Sequence, residues 1–551
     1  MKRIDWLIII ILILLSLFTL QSLFSSAGYF TSHDSWNHVT RMYHFDQAIR
    51  DGQFPPRWSG FLMKGFGYPL FIFTYPLPWS FAEIFVLGGL SIFTSLKLIF
   101  IITYFISALT MYFLARSLWG RVPALISSLV YIYTPYRFAN IFVRGNIGES
   151  TSFAFIPFFF LGIFLIYKNK QKLGIIIASL AFSALILSHF MLLFLLLLTL
   201  ICFILYFYKI STVKFKYLLS LGVAILTGIL LSAYYLIPAY IYKPFTKFDS
   251  IAHTFYSGHF TPLKKLIYSP WGYAAISQPD EMSRQVGLII WAILILAIII
   301  NLWVFFQKKN RSIYFGLGNI LIFSILLSVF MMMNVSFPIW KLLEPISPID
   351  IPWRFLAVTT FSGSLLTGYV SSYFMRSKFL LYPFLIIIVL ALAYTNRNYI
   401  RINQDTHFPL SLYISSEITT NAYNEYLGRE VNENAAVEKK PLIFIPDATV
   451  RKVSQKSNKI SFSYNSKKEN TAQIHHMYFP GWSAKIDGKD TFVQKSGIGG
   501  MEIKTPKGSH QVVLNYSSTL PMVLSNLLTV FSLIIVIVFL LKKIILRPNY
   551  A

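Results

Sequence analysis

The chain of 551 residues has a single cysteine, Cys202, set within an apolar run. A disulfide or a thiolate metal site built within one chain is therefore excluded, and nothing follows about redox compartment. Charge is scarce as well, at 13% of residues, and acid is the scarcer sign: 22 Asp and Glu against 48 Lys and Arg, a net of +26. In a soluble chain such a balance would point to nucleic acid. Here the basic residues stand in short clusters between apolar runs, which is the positive-inside pattern of a membrane protein. Also missing is an internal repeat of paired broken spans, which argues against a transporter built from two related halves.

What is abundant is apolar surface: 55% of residues are hydrophobic and 17% aromatic. Runs of roughly twenty apolar residues, enough to cross the hydrocarbon core, recur along the chain. Lys2 and Arg3 precede the first, at 6–27, so the N-terminus is expected to be cytoplasmic. Ser25-Ser26-Ala27 resembles a signal-peptidase site, and an uncleaved signal anchor is the favoured reading. The run 68–92 contains Pro69, Pro76, Pro78 and Glu83, a poor composition for a straight helix. If it crossed, the basic clusters 168–172, 308–311, 376–378 and 542–543 would all fall outside. It is therefore read as interfacial. Spans are then expected at 94–116, 122–142, 148–167, 173–188, 190–208, 217–240, 285–306, 313–333, 353–375, 378–395 and 519–541. Stretch 173–208 would run roughly 54 Å as one helix, so it is broken near Ser188-His189. The count is twelve, with thirteen as the alternative, and both termini lie inside.

On this topology the unusual polar residues gather outside. The first loop, 28–93, carries His33, Asp34, Asn37, His38 and Arg57; later loops bring Arg144, Glu149 and His189; segment 241–284 holds His253 and His259; Arg354 enters the membrane from outside. Such polarity beside membrane segments calls for a reason. Bland ones exist: Asp34 as a helix cap, Arg144 with Glu149 as a local ion pair, Arg354 snorkelling. From 396 to 518 the chain turns polar and alternates, as in Lys459–Tyr464 and Gln511–Tyr516. Asp487-Gly488 and Lys507-Gly508 supply hairpin turns. This predicts an external β-rich domain between a transmembrane domain, 1–395, and a final span with its cytoplasmic tail, 519–551. His475 and His476 face opposite ways in a strand and read as structural, not as a metal pair.

Several motifs carry a resemblance: His33-Asp34 with Asn37-His38, Gly52–Trp58, Gly65–Leu70, Arg144-Gly145 with Glu149, Ser188-His189, Ser232–Pro238, Ser269-Pro270-Trp271-Gly272, Pro352-Trp353-Arg354-Phe355, Glu425-Tyr426-Leu427 and Phe479-Pro480-Gly481-Trp482. With these the chain resembles the 6-pyruvoyl-tetrahydropterin synthase-related membrane family and its YfhO-type relatives. Those in turn are similar to GT-C glycosyltransferases, which use polyprenyl-phosphate sugars. Gly428 stands where relatives often carry Pro. No soluble pterin-synthase domain and no zinc-ligand histidine cluster accompany the name.

The resemblance implies a GT-C-like polytopic α-helical enzyme of the plasma membrane. It would move a sugar from a polyprenyl-phosphate donor to an envelope glycan, lipid or protein on the external face. Asp34 would be the general base. Glu149 would orient the acceptor or, with Asp34, hold a divalent Mg or Mn ion. Arg57, Arg144 and Arg354 would meet the leaving phosphate, with His33, Asn37, His38 and His189 assisting in substrate binding. The alternatives are a transporter or flippase of lipid-linked material, and a non-catalytic envelope-assembly protein. No nucleic-acid partner is expected.

Overall fold

Apolar runs without interruption become long helices. The computed structural model describes residues 3–25, 28–251, 255–307, 313–345, 349–375, 377–420, 424–438 and 440–545. The expectations placed on Ser26-Ala27, His253, Lys308–Arg311 and Arg376 lie outside the described residues. Among the described residues eight helices are long and apolar enough to cross a membrane: Ile92–Trp119, Ile147–Tyr167, Gln171–His189, Lys214–Leu231, Leu288–Phe306, Tyr314–Met332, Phe379–Asn396 and Leu520–Leu541. Other expected spans coincide with shorter apolar helices, Ile4–Thr19, Arg121–Ile132 and Leu197–Ile210, and with the Ser- and Thr-rich helix Leu356–Phe374. The proline-rich stretch after residue 68 forms only two short helices, Leu70–Phe73 and Leu77–Leu87. At 11 residues the longer reaches about 17 Å, half of the hydrocarbon core.

Contacts divide the chain into two units. One holds Met1–Ser35, Phe93–Leu230 and His253–Phe408; the other holds Trp36–Ile92, Leu231–Ala252 and Pro409–Ala551. In the first, Ile147–Tyr167 and Gln171–His189 form a close antiparallel hairpin. A Cβ on Gly162 would lie 2.6 Å from the Ala178 nitrogen, so only glycine permits this approach. The hairpin returns the end of one helix to the start of the other, where Ser152 and Ser188 hydroxyls meet at 2.7 Å. The break expected at Ser188-His189 falls there, since the next helix begins at Met191.

Two expected spans are interrupted instead of continuous. The span placed at 122–142 stops at Ile132, because Thr134 precedes Pro135 and is held extended (ψ 148°). The chain resumes as a short helix, Pro135–Phe138, and one π-helical turn, Ala139–Arg144. The span placed at 217–240 breaks at Ser232 between helices Lys214–Leu231 and Ala233–Tyr242.

The second unit contains the β-rich region before the last helix. Five antiparallel strands lie in the order 448–456, 459–466, 508–516, 482–486, 489–491, and four in the order 443–444, 470–477, 500–505, 494–495. Ile460, Phe462 and Tyr464 are buried in alternation with serines, and pair in register with Leu514, Val512 and His510. Asp487-Gly488 makes the expected tight hairpin, both residues at positive φ (49° and 83°). Lys507-Gly508 does not: it joins strands 500–505 and 508–516, which lie in different sheets and do not pair.

The motifs Gly52–Trp58 and Gly65–Leu70 seat on these strands. Gln53 donates to the Ser457 hydroxyl (3.0 Å), Asp51 accepts from the Ser457 amide (2.7 Å), and the Met477 amide donates to the Phe66 carbonyl (2.6 Å). Trp58 Nε1 donates to His476 Nε2 (3.1 Å), which leaves Nδ1 to donate to the Gly65 carbonyl (2.9 Å). Gly67 has φ +87°, and a Cβ there would strike the His476 and Trp58 rings at 2.7 and 2.8 Å. His476 is thus a structural clasp, in keeping with its expected role.

Burial pushes the His476 imidazole down to about 4, against 6.5 for a free histidine. Between these values the unfolded chain binds the extra proton. The histidine's contribution is therefore full above about 6.5 and is lost as pH falls toward 4, on the order of 3 kcal/mol over the window. Thermal unfolding should show wild type losing Tm on acidification more steeply than His476→Gln. Equal pH slopes would remove this residue from the clasp.

Candidate active site

A proline break at 134–135 turns the polar faces of the following turns inward. Tyr136 and Asn140, four residues apart, lie on the short helix and the π turn. Arg144 closes that turn, and Gly145 follows in the left-handed conformation (φ +62°). A Cβ at Gly145 would overlap the Ser32 hydroxyl at 2.1 Å, so this crossing needs glycine. Asn146 then caps helix Ile147–Tyr167, its side-chain oxygen accepting from the Glu149 amide at 2.8 Å.

Glu149 is wholly buried. Its Oε1 accepts from the Tyr136 hydroxyl (2.7 Å); its Oε2 accepts from Asn140 Nδ2 (3.0 Å) and from the Arg144 guanidinium. Arg144 also donates to Tyr136 Oη (2.8 Å) and lies over the Trp353 ring at 4.7 Å. Asn140 is fixed in turn, its Oδ1 accepting from Ser150 at 2.5 Å. A second guanidinium, Arg354, stands 3.9 Å from Glu149 Oε2 and 3.0 Å from Asp350. His189, at the returning end of the helical hairpin, feels the charges of Arg354, Glu149 and Arg144. Below them Arg137 is buried between Tyr104, Tyr131 and Phe153, with Phe153 nearest at 4.2 Å, and donates to Ser107 (3.0 Å).

Asp34 joins this cluster through the cap residue: Asn146 Nδ2 donates to Asp34 Oδ2 at 3.1 Å. Its backbone is pinned as well, the His33 and Asp34 amides donating to the Val143 and Arg144 carbonyls at 3.0 Å each. The structure therefore gathers Asp34, Arg144, Glu149, His189 and Arg354. It turns His33 aside, with Nε2 2.9 Å from the Tyr273 carbonyl. Asn37, His38 and Arg57 belong to the second unit. There His38 is buried 5.3 Å from the Trp79 ring. Arg57 donates to the Tyr234 carbonyl (2.6 Å) and to Asn526 (3.1 Å) of the last helix. Tyr136, Asn140 and Trp353 are the site's members that carried no assignment from sequence; the Tyr136/Asn140 spacing of four, beside Arg144, was the available signal.

Each Glu149 oxygen accepts from at least one protein donor. Among the described residues no group of three His, Cys, Asp or Glu is placed to hold a metal ion.

The chain belongs to the family described as the 6-pyruvoyl-tetrahydropterin synthase related domain, a membrane protein family, which matches residues 73–400. No curated protein matches it. Among solved structures it is similar to two of arabinofuranosyltransferase AftD from mycobacteria, one of them a mutant, at 13% identity. Their TM-scores are 0.46 and 0.45, covering 72% and 76% of this chain but 28% and 27% of AftD. The chain thus spans little more than a quarter of AftD's length. It is also similar to ArnT from Cupriavidus metallidurans bound to undecaprenyl phosphate, at 14% identity and TM-score 0.42, covering 76% of this chain and 69% of ArnT.

Removing one partner of a buried ion pair strands the other and costs about 3–5 kcal/mol, whereas replacing both is far milder. Arg144→Met should lower Tm strongly, and Arg144→Met with Glu149→Gln should regain much of the loss. Additive losses in thermal unfolding would contradict the pairing.

Proposed function

We propose that this protein is a membrane glycosyltransferase that transfers a sugar from a polyprenyl-phosphate donor to a cell-envelope acceptor on the external face of the plasma membrane. The observation that carries the reading is one carboxylate, Asp34, held by Asn146 beside a guanidinium pair organised on buried Glu149. The motifs shared with the 6-pyruvoyl-tetrahydropterin synthase-related family, whose members resemble GT-C transferases, agree with it.

In an inverting transfer the acceptor hydroxyl attacks the anomeric carbon, the bond to the donor phosphate breaks, and polyprenyl phosphate leaves with both electrons. Asp34 takes the hydroxyl proton; its orientation is set by Asn146 and by its pinned backbone. Negative charge grows on the departing phosphate oxygen. Arg354 is the cation suited to meet it: Nε and Nη2 lie against Asp350, whereas Nη1 makes no hydrogen bond, and the side chain keeps 12% exposure. Arg144 is committed to Glu149 and Tyr136, so it positions the site and sets its field, and Glu149 is the anchor for both guanidinium groups. His189 is a further polar neighbour at the same helix end.

Asp34→Asn preserves shape and removes the base. With polyprenyl-phosphate sugars and envelope extract, transfer read by mass spectrometry should fall by a factor of about 10²–10⁴ while Tm is unchanged. Equal transfer by both proteins would remove Asp34 from the chemistry. No transfer by folded wild type over a broad donor panel would favour a flippase or an assembly protein.

A further inference from the structure

The motif Ser269-Pro270-Trp271-Gly272 takes no part in the site above. Its Pro270 and Trp271 line a cavity of about 350 Å³ in the first unit, between the ends of helices Arg121–Ile132, Leu288–Phe306 and Lys378–Asn396. That volume suits one small ligand. The cavity shares no lining residue with the Glu149 cluster.

Three polar atoms on residues lining it are buried with no hydrogen-bond partner: Trp271 Nε1, Thr134 Oγ1 and Asn396 Oδ1. Thr134 and Asn396 are each only 2% exposed. Buried polar atoms are satisfied in nearly all folded proteins, so three unpaired ones on the lining of one cavity define what a ligand there would have to offer. The set has a definite chemistry. An indole N–H donates, an amide oxygen accepts, and a hydroxyl does both. The Asn396 oxygen calls for a donor, and a hydroxyl group supplies one while also accepting from Trp271 and Thr134. Other polar groups of the lining are tied to protein: Asn396 Nδ2 donates to the Tyr133 carbonyl (2.8 Å), Gln285 to the Tyr399 hydroxyl (2.8 Å), and Arg397 to the Tyr394 carbonyl. Trp271 is held by stacking on Tyr399 at 4.4 Å. Leu288, Ile289 and Leu392 supply an apolar wall.

We propose that this cavity binds the neutral sugar headgroup of an amphiphile, its hydroxyls meeting Trp271, Thr134 and Asn396 and its alkyl chain lying along the apolar wall. Binding is read without any transfer, so failure here leaves the transferase reading standing, and an inactive enzyme leaves this site standing.

The test uses the full chain in phosphatidylcholine nanodiscs. The probe is dodecyl β-D-glucoside with a diazirine in its alkyl chain; the control is dodecylphosphocholine with the same chain. The glucoside is expected to label peptides within 130–135, 268–290 or 392–399, and unlabelled octyl β-D-glucoside should compete. Thr134→Val removes a hydroxyl that has no protein partner, so Tm should hold while apparent affinity falls roughly fivefold, the worth of one neutral hydrogen bond. Trp271→Phe should act in the same direction. Equal labelling by both headgroups, labelling confined to other peptides, or labelling unchanged in Thr134→Val would each overturn the proposal.

Discussion

A carboxylate removed from water must find cations and donors, and the first unit is arranged around Glu149 for that reason. Its two oxygens accept from Tyr136, Asn140 and Arg144, with Arg354 just beyond. Each donor comes from a local departure from regular helix: a proline break, a π turn, a left-handed glycine and a short turn before helix Leu356–Phe374. Such departures leave backbone groups to be satisfied and are tolerated in apolar surroundings only where other protein covers them. Here the covering is the same network. Charge compensation and irregular backbone therefore require each other, and the cap residue Asn146 passes the resulting order on to Asp34.

The second unit answers a different demand. A polar loop between apolar segments is costly to order, and residues 51–68 are ordered by β-strands some 400 positions later. Trp58, His476 and Gly67 form its centre, where ring packing leaves no space for a Cβ. The loop's density of motifs thus has two causes. Near its start Asp34 joins the Glu149 cluster through Asn146, while Gly52–Trp58 and Gly65–Leu70 serve as a clasp.

Much of this was legible in the sequence. Apolar run length gave the spanning helices, the excess length of 173–208 located the break at His189, and alternation with Asp487-Gly488 located the β-rich region. Arg144, Glu149 and Arg354 stood out because charge is so rare here. Tyr136 and Asn140 did not, because inside an apolar run a tyrosine and an amide look like packing residues. The clasp was hidden for another reason: Gln53 and Ser457 lie 404 positions apart, and no local pattern reports such a pairing. Lys507-Gly508 misled because turn chemistry specifies a turn, not which sheet the next strand joins. For Arg57 the cationic type was visible and its partners Tyr234 and Asn526 were not.

The central claim is that Asn146 couples the buried ion pair to a reacting Asp34. The most direct test is the pH–rate profile of sugar transfer by Asn146→Asp. Aspartate keeps the helix cap but replaces the donor to Asp34 with a second carboxylate, which would raise the pKa of the reacting group. The account predicts a folded protein of lower Tm, since a second carboxylate is buried beside Asp34, and an acid limb displaced to higher pH. A profile identical to wild type, from folded protein, would contradict it.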